Sequence, residues 1–309
     1  RLEQRLALEL RSEVGLVTSV TSDIVLAGGK RLRPAIVLLS SGAWDRGVEG
    51  DVLLAGAAEF FHTATLLHDD LVDDGAVRRG REAAYKRFGV GVSVLSGDFL
   101  LARTLAMLAA LERPDLVKLF AQVATRVCEG EVLEFELSTD QAWSRASYRR
   151  AIEAKTAELI AACARAGVQL QGAGEVVCQQ MWDFGYAFGV AFQMADDLLD
   201  ILGSERELGK PVGGDVREGK MTLPLLVLLE RARGSDREMA QAIMQRRAAQ
   251  GGDVDLLRNL LERYGVEAAV WNEVKAEAGR ALEQLAVLPQ GPCRAGLEEL
   301  TQRLAYRRS

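Results

Sequence analysis

Residues 48–74 read VEGDVLLAGAAEFFHTATLLHDDLVDD. Leu, Ala and Phe recur at helical spacing, strict apolar–polar alternation is missing, and the run ends on Asp69, Asp70, Asp73 and Asp74 before Gly75. The stretch predicts one long helix. It is apolar around much of its circumference, which places it centrally in a core. Working outward, Gly28-Gly29 ends an earlier helix, and Pro34 suits an early position of the next. Further helices are expected at about 93–111, 115–137, 145–171 and 175–202. Gly203 to Gly219 is glycine-rich and charged and reads as a loop, and Pro224 opens the helix after it. About 235–306 gives three or four shorter helices, with caps such as Asp253. No hydrophilic linker divides the chain, so residues 1–309 are expected to form a single all-α domain of ten or more helices.

Composition removes several functions. The 309 residues include 44 acidic and 38 basic side chains, a net charge of −6, which disfavours nucleic acid as a partner. Cys128, Cys163, Cys178 and Cys293 form no CxxC pair and read as inert thiols in a reducing compartment. His62 and His68 cannot make an HExxH zinc site. The longest apolar runs, such as Pro224 to Leu229, fall far short of the about 20 residues that a membrane span needs. Arg1 to Arg5 carries acid and no long apolar core, so no secretory signal is expected there, and the lack of an initial Met suggests a trimmed sequence. The default location is the cytoplasm.

One pattern occurs twice: Asp69-Asp70-Leu71-Val72-Asp73 and Asp196-Asp197-Leu198-Leu199-Asp200, each closing an apolar helix. At i and i+4, Asp69 and Asp73 share a helix face, as do Asp196 and Asp200. Like charges at this spacing cost roughly 0.2–0.5 kcal/mol, and carboxylates at a helix C-terminus oppose its dipole. Two such clusters within apolar sequence call for cations. All-oxygen ligands select hard ions, and Mg²⁺ prefers one or two carboxylates with water and substrate phosphates. Basic stretches flank the acids: Gly29-Lys30-Arg31-Leu32-Arg33-Pro34, then Arg78-Arg79-Gly80-Arg81, then Lys210 and Lys220. Arg suits bidentate phosphate contact and Lys point-charge contact. The alternation of basic and acidic segments indicates a metal–diphosphate site.

In combination, GGKRLRP, HTATLLHDDLVDDGAVRRG, GDFLLAR, KTAEL, FQMADDLLD and GKPVGGDVREGKMTLP resemble the trans-polyprenyl diphosphate synthases, from about Gly28 to Pro224 and plausibly beyond. The resemblance implies the isoprenoid synthase fold, helices around a deep central cavity, and a homodimer. It also implies Mg²⁺, with three ions per active site, and the condensation of isopentenyl diphosphate with an allylic diphosphate. On this resemblance Asp69, Asp70, Asp73, Asp196, Asp197 and Asp200 form the metal set, with direct contact left open and Asp200 a candidate for an outer position. Arg78, Lys155, Thr156, Gln193, Lys210 and Lys220 match the allylic diphosphate site. Gly29, Lys30, Arg33, His62 and Arg79 match the isopentenyl diphosphate site. His68 is assigned to packing or to support of the cluster. Gly75, Glu82 and Tyr85 depart from the family's usual Ser or Thr, Pro, and His or Asn.

No protein base is evident in the sequence, so the resemblance assigns the final deprotonation to the released diphosphate. In the family a bulky aromatic one turn before the first motif stops elongation. Here Ala64 and Thr65 hold those positions, with Phe60 and Phe61 one turn further, and Met107 and Leu111 are candidates for a tunnel floor. The expectation is a product of about thirty to fifty carbons, for which a helix of about 25 residues, spanning roughly 38 Å, supplies the length. The alternatives are a shorter-chain farnesyl or geranylgeranyl diphosphate synthase, a class I terpene cyclase and a non-catalytic partner subunit. The all-Asp second motif and Lys30, Arg33 and His62 argue against a cyclase, and two intact motifs argue against a silent subunit.

Overall fold

The computed structural model describes residues 1–72, 75, 77–78, 81–140, 143–203, 212–246 and 251–305, except for the side chains of Val77, Arg78 and Asp140. These residues are almost entirely α-helical, and the only strands among them are the two-residue pair β1 (Val77–Arg78) and β2 (Arg81–Glu82), which run antiparallel. The chain forms two compact units. The first comprises Arg1–Ala121, Ala162–Trp182 and Val287–Leu297, and the second Gln122–Ala161, Asp183–Ala286 and Glu298–Ser309.

The first unit contains α1 (Leu2–Glu9), α2 (Gly15–Val25), α3 (Leu32–Ala43), α4 (Asp51–Val72), α5 (Ala84–Phe88) and α6 (Val90–Ala109). α4 is the expected long helix. α1, α2, α3, α5 and α6 all pack on it. Leu54, Phe60 and Leu67 of α4 are fully buried with Leu6, Ile36, Leu100 and Leu108. Burying each such side chain contributes about 1.5–3 kcal/mol, an upper figure set by the extended-chain reference. α4 and α6 approach closely where Gly56 leaves room for the Met107 Cε and Gly97 for the His68 ring.

α6 bears on the expectation of no membrane span. It has 20 residues with a mean hydropathy of 1.5, long and apolar enough to cross a membrane by length and composition. Counting contiguous apolar runs overlooked it because Ser93, Ser96, Gly97, Asp98, Arg103 and Thr104 interrupt them. One side packs on α4, and both of its charges are paired, Asp98 with His68 and Arg103 with Glu9. Its other side leaves Val90, Leu95 and Leu105 exposed.

α7 (Pro114–Asp140), α9 (Glu158–Leu170) and α10 (Glu175–Leu202) each contribute residues to both units. The second unit also holds α8 (Arg145–Ile152), α11 (Gly214–Arg217), α12 (Leu223–Arg231), α13 (Gly234–Gln245), α14 (Asp253–Arg263) and α15 (Val266–Gln284). α16 (Pro292–Ala305) ends the described chain, and Pro224 sits in the first turn of α12, as expected. The helix expected over 145–171 is interrupted. Between α8 and α9, Glu153–Ala157 form a π-helix, a wider turn with i→i+5 hydrogen bonding. α10 lies tight against α9 and this π-turn. A Cβ on Gly185 would stand 2.6 Å from Ala161 Cα, and one on Gly189 would stand 2.6 Å from Ala157 Cα. Two backbones meet there, so no rotamer change could relieve the clash.

Gly185→Ala should therefore destabilise the protein by about 1–3 kcal/mol, the usual cost of forcing atoms into a packed interior. Gly279, inside α15 with open space around its Cα, is the contrasting site. Gly279→Ala should stabilise by about 0.5–1 kcal/mol through helix propensity. Melting temperatures of the two variants should move in opposite directions, and a Gly185→Ala protein melting with the parent would refute the close-contact reading.

Candidate active site

In the first unit the C-terminal end of α4 carries His62 and Asp69, both half-buried, and Asp70, which is 1% exposed. The Gly75 backbone N–H donates to the Asp70 carbonyl at 3.1 Å, closing the helix over the cluster. Asp73 and Arg79 lie outside the described residues, and Arg78 is described only as backbone of β1. His68 is fixed by α6. Its Nε2 lies 3.3 Å from the Val94 carbonyl oxygen and 3.4 Å from Asp98 Oδ1. Both neighbours are acceptors, so Nε2 carries the proton. The GDFLLAR motif thus has a local purpose: Gly97 admits the imidazole, whose N–H meets the Val94 carbonyl with the Asp98 carboxylate alongside.

The basic corner is held by a residue that the sequence reading passed over. Arg31 occupies the left-handed region at φ 47° just before α3, between Gly29 at φ 133° and Leu32. A non-glycine residue there costs of order 1–2 kcal/mol. Its guanidinium donates to both Glu3 oxygens at 2.9 and 3.1 Å, to Glu59 at 2.6 Å and to the Val25 carbonyl at 2.6 Å. Burial lowers the Arg31 pKa, but Glu3 and Glu59 outweigh it and the net direction is up. With Arg31 serving as the clamp, Gly29 and Lys30 are exposed and Arg33 is half-buried at the start of α3.

The chain-length candidates lie in the same unit. Ala64 is fully buried, and the Thr65 hydroxyl donates to the His62 carbonyl at 2.9 Å. Phe61 meets Phe120 edge-on with 6.4 Å between ring centroids. Met107 Cε fills the notch at Gly56, and Leu111 Cδ2 that at Gly50.

In the second unit four side chains form a continuous hydrogen-bonded chain. The Thr156 hydroxyl donates to Gln193 Oε1 at 2.8 Å, and Gln193 Nε2 donates to Asp197 Oδ1 at 2.7 Å. The Tyr148 hydroxyl donates to Asp197 Oδ2, also at 2.7 Å. The carboxylate sets this direction, because a Gln193 oxygen turned towards it would be repelled. Asp196 is half-buried, while Asp197 is buried. Burial pushes the Asp197 carboxyl up to about 7; Tyr148 and Gln193 pull it down, and Asp196 and Glu134 push it up. Tyr148 rises too, through burial and the Asp197 charge.

Asp200 is engaged with the following loop. Its Oδ2 accepts the Asp215 N–H at 3.0 Å, and its carbonyl accepts the Gly213 N–H at 2.6 Å. Lys155, on the π-turn, donates to Glu131 and Glu134 at 2.8 Å each. Lys220 pairs with Glu218 at 3.1 Å, and Lys210 lies outside the described residues.

Sequence reasoning missed Tyr148, Glu131 and Glu134. Tyr148 lies seven residues before Lys155 in the same helical segment, and the two glutamates lie on α7 at i and i+3, so their spacing held the signal.

Mg²⁺ fits this donor set. The side chains are carboxylates with no competing thiolate or imidazole pair, and Asp197 sits where a nearby cation would relieve crowded negative charge. Among the described residues no three His, Cys, Asp or Glu side chains gather closely enough to hold an ion alone. That is the usual situation for Mg²⁺, which draws further ligands from water and substrate phosphates.

Residues 14–261 match the family model described as polyprenyl synthetase. The octaprenyl diphosphate synthase of Escherichia coli (strain K12) is 37% identical over 294 residues, covering 94% of this chain and 89% of that protein. The short chain isoprenyl diphosphate synthase of Methanothermobacter thermautotrophicus is 35% identical over 282 residues, 89% of this chain and 85% of that protein. The polyprenyl synthase of Caulobacter crescentus CB15, whose crystal structure is complexed with calcium and isoprenyl diphosphate, superposes with a TM-score of 0.96 at 36% identity, covering 100% of this chain and 94% of that one. All-helical architecture, twin aspartate clusters and likeness over nearly the whole length agree, and the chain belongs to the polyprenyl synthetase family, as a prenyltransferase of the polyprenyl diphosphate synthase type.

Proposed function

We propose that this chain condenses isopentenyl diphosphate with an allylic diphosphate, of the farnesyl or geranylgeranyl class, to make a long-chain trans-polyprenyl diphosphate. Both units would serve one catalytic domain, working as a homodimer in the cytoplasm; the four free thiols agree with a reducing compartment. The observation that carries the reading is the second cluster, with Asp197 and Asp200 buried and Tyr148, Gln193 and Thr156 built around Asp197.

Asp69, Asp70, Asp73, Asp196, Asp197 and Asp200 would hold three Mg²⁺ ions together with the allylic diphosphate. Bound Mg²⁺ would neutralise charge on that diphosphate as its carbon–oxygen bond breaks. Lys155, Arg78, Lys210 and Lys220 add fixed positive charge where the leaving group gains negative charge. Lys155 changes partner in this scheme, from Glu131 and Glu134 to phosphate oxygen. Gly29, Lys30, Arg33, His62 and Arg79 hold the isopentenyl diphosphate so that its double bond faces the allylic carbon, and alignment supplies much of the rate. The released diphosphate takes the proton that ends the step. Apolar side chains such as Phe60 and Ala64 exclude water from the cation.

The product length rests on α4. The helix has 22 residues, and at about 33 Å it can line a tail of about thirty to fifty carbons. Ala64 and Thr65 put no aromatic ring one turn before Asp69, and the octaprenyl relative supports the same reading.

Incubation with Mg²⁺, farnesyl diphosphate and labelled isopentenyl diphosphate should give products beyond twenty carbons; a stop at fifteen or twenty would assign a short-chain enzyme instead. Asp69→Ala and Asp196→Ala should each lower kcat by at least about 10²-fold, the scale for removing one electrostatic stabiliser. Near-parental turnover in either variant would remove the metal-site argument. Ala64→Phe should shorten the product distribution under the same conditions, and an unchanged distribution would exclude this face of α4 from the tail's path.

A further inference from the structure

The Asp197 carboxylate has both oxygens engaged by protein donors, Gln193 on Oδ1 and Tyr148 on Oδ2. Gln193 belongs to α10, as Asp197 does, so it moves with the cluster it serves. Tyr148 belongs to α8 and is the donor that ties Asp197 to a separate element, as the Asp215 N–H does for Asp200. Both Tyr148 and Asp197 are 4% exposed, so water does not substitute freely for the phenol.

α8 is itself held firmly. Ser144 and Ser147 form a reciprocal capping box at its first turn. Arg145 makes a two-pronged contact with Glu230, at 2.8 and 2.9 Å, and reaches Glu273 at 2.6 Å. Arg149 bridges Glu153 and Glu277. These ties anchor α8 to α12 and α15 and to the start of the π-turn. The Tyr148 hydroxyl is therefore a fixed donor, and the π-turn beyond it carries Lys155 and Thr156 on the same segment. Thr156 closes the circuit through Gln193 back to Asp197.

We infer that Tyr148 is a positioning residue for the second aspartate cluster. Acting through Asp197, it sets the orientation of the carboxylates that receive the metal ions and keeps Gln193 and Thr156 in register with them. The inference rests on the cation and diphosphate role proposed above. Partners that orient metal-site side chains are worth roughly 10–100-fold in metal affinity or activity, so loss of one hydroxyl should register on that scale.

The test uses Tyr148→Phe, which keeps the ring and removes the donor, and Asp197→Asn, alone and together. Calorimetric titration of Mg²⁺ in the presence of inorganic diphosphate is the readout, with melting temperature recorded on the same samples. Tyr148→Phe should weaken Mg²⁺ binding by roughly 10-fold or more, with its melting temperature close to the parent's. The double variant should bind no worse than Asp197→Asn alone, because Tyr148 acts through that carboxylate. Parental Mg²⁺ binding in Tyr148→Phe would overturn the inference, as would a double variant whose losses simply add. If Tyr148→Phe does not fold, Arg149→Met, which loosens α8 without touching Asp197, should weaken Mg²⁺ binding in the same direction, and parental binding there would overturn it equally. Failure of the parent protein to bind Mg²⁺ with diphosphate would instead strike the proposed function itself.

Discussion

A carboxylate buried among apolar side chains must either be neutralised or be given donors and a cation. Asp197 is such a group, on an otherwise apolar α10. Its surroundings follow from that demand: a phenol on one oxygen, an amide on the other, and a threonine that fixes the amide. Glu134 and Asp196 push the Asp197 carboxyl further from its ordinary range, so the donors alone leave negative charge uncompensated. That residual demand is what a hard cation and a diphosphate would meet. Strain of this kind is tolerated where function uses it.

The close meeting of α10 with α9 and the π-turn serves the same end. Gly185 and Gly189 let two backbones approach, which brings Gln193 within reach of Thr156 further along the same helix. A π-turn places one extra residue in the helical path, and here that change falls on Lys155 and Thr156 themselves. In the first unit the equivalent work falls to ion pairs. Arg31 accepts a left-handed backbone to hold Glu59 on α4, and Asp98 holds His68 beside Asp69. Both arrangements steady side chains next to the proposed substrate contacts.

Much of this was legible in the linear sequence. Apolar residues at 3.6-residue spacing announced α4 and α10, because a helix that must be buried shows its periodicity directly. The repeated Asp-Asp-x-x-Asp pattern and the flanking Lys and Arg declared a cation and phosphate chemistry, because charge of that density has few other uses inside apolar helices. Pro224 marked the start of α12 through its missing N–H. Other features left no local signal. The π-turn packs against Gly130 and Gly189, far along the chain, and its residues Glu-Ala-Lys-Thr-Ala are ordinary helix formers. The membrane-length apolar character of α6 was hidden by counting unbroken runs, although its polar residues all have small side chains or paired charges.

The sequence by itself determined the helical class, the two aspartate clusters and the basic segments beside them, because periodicity and charge are properties of neighbours along the chain. Only the tertiary structure decided that Arg31 is a clamp, that Glu131 and Glu134 hold Lys155, and that Tyr148 grips Asp197. Each of these joins residues far apart in sequence, and a hydrogen bond forms only where packing brings donor and acceptor within about 3 Å.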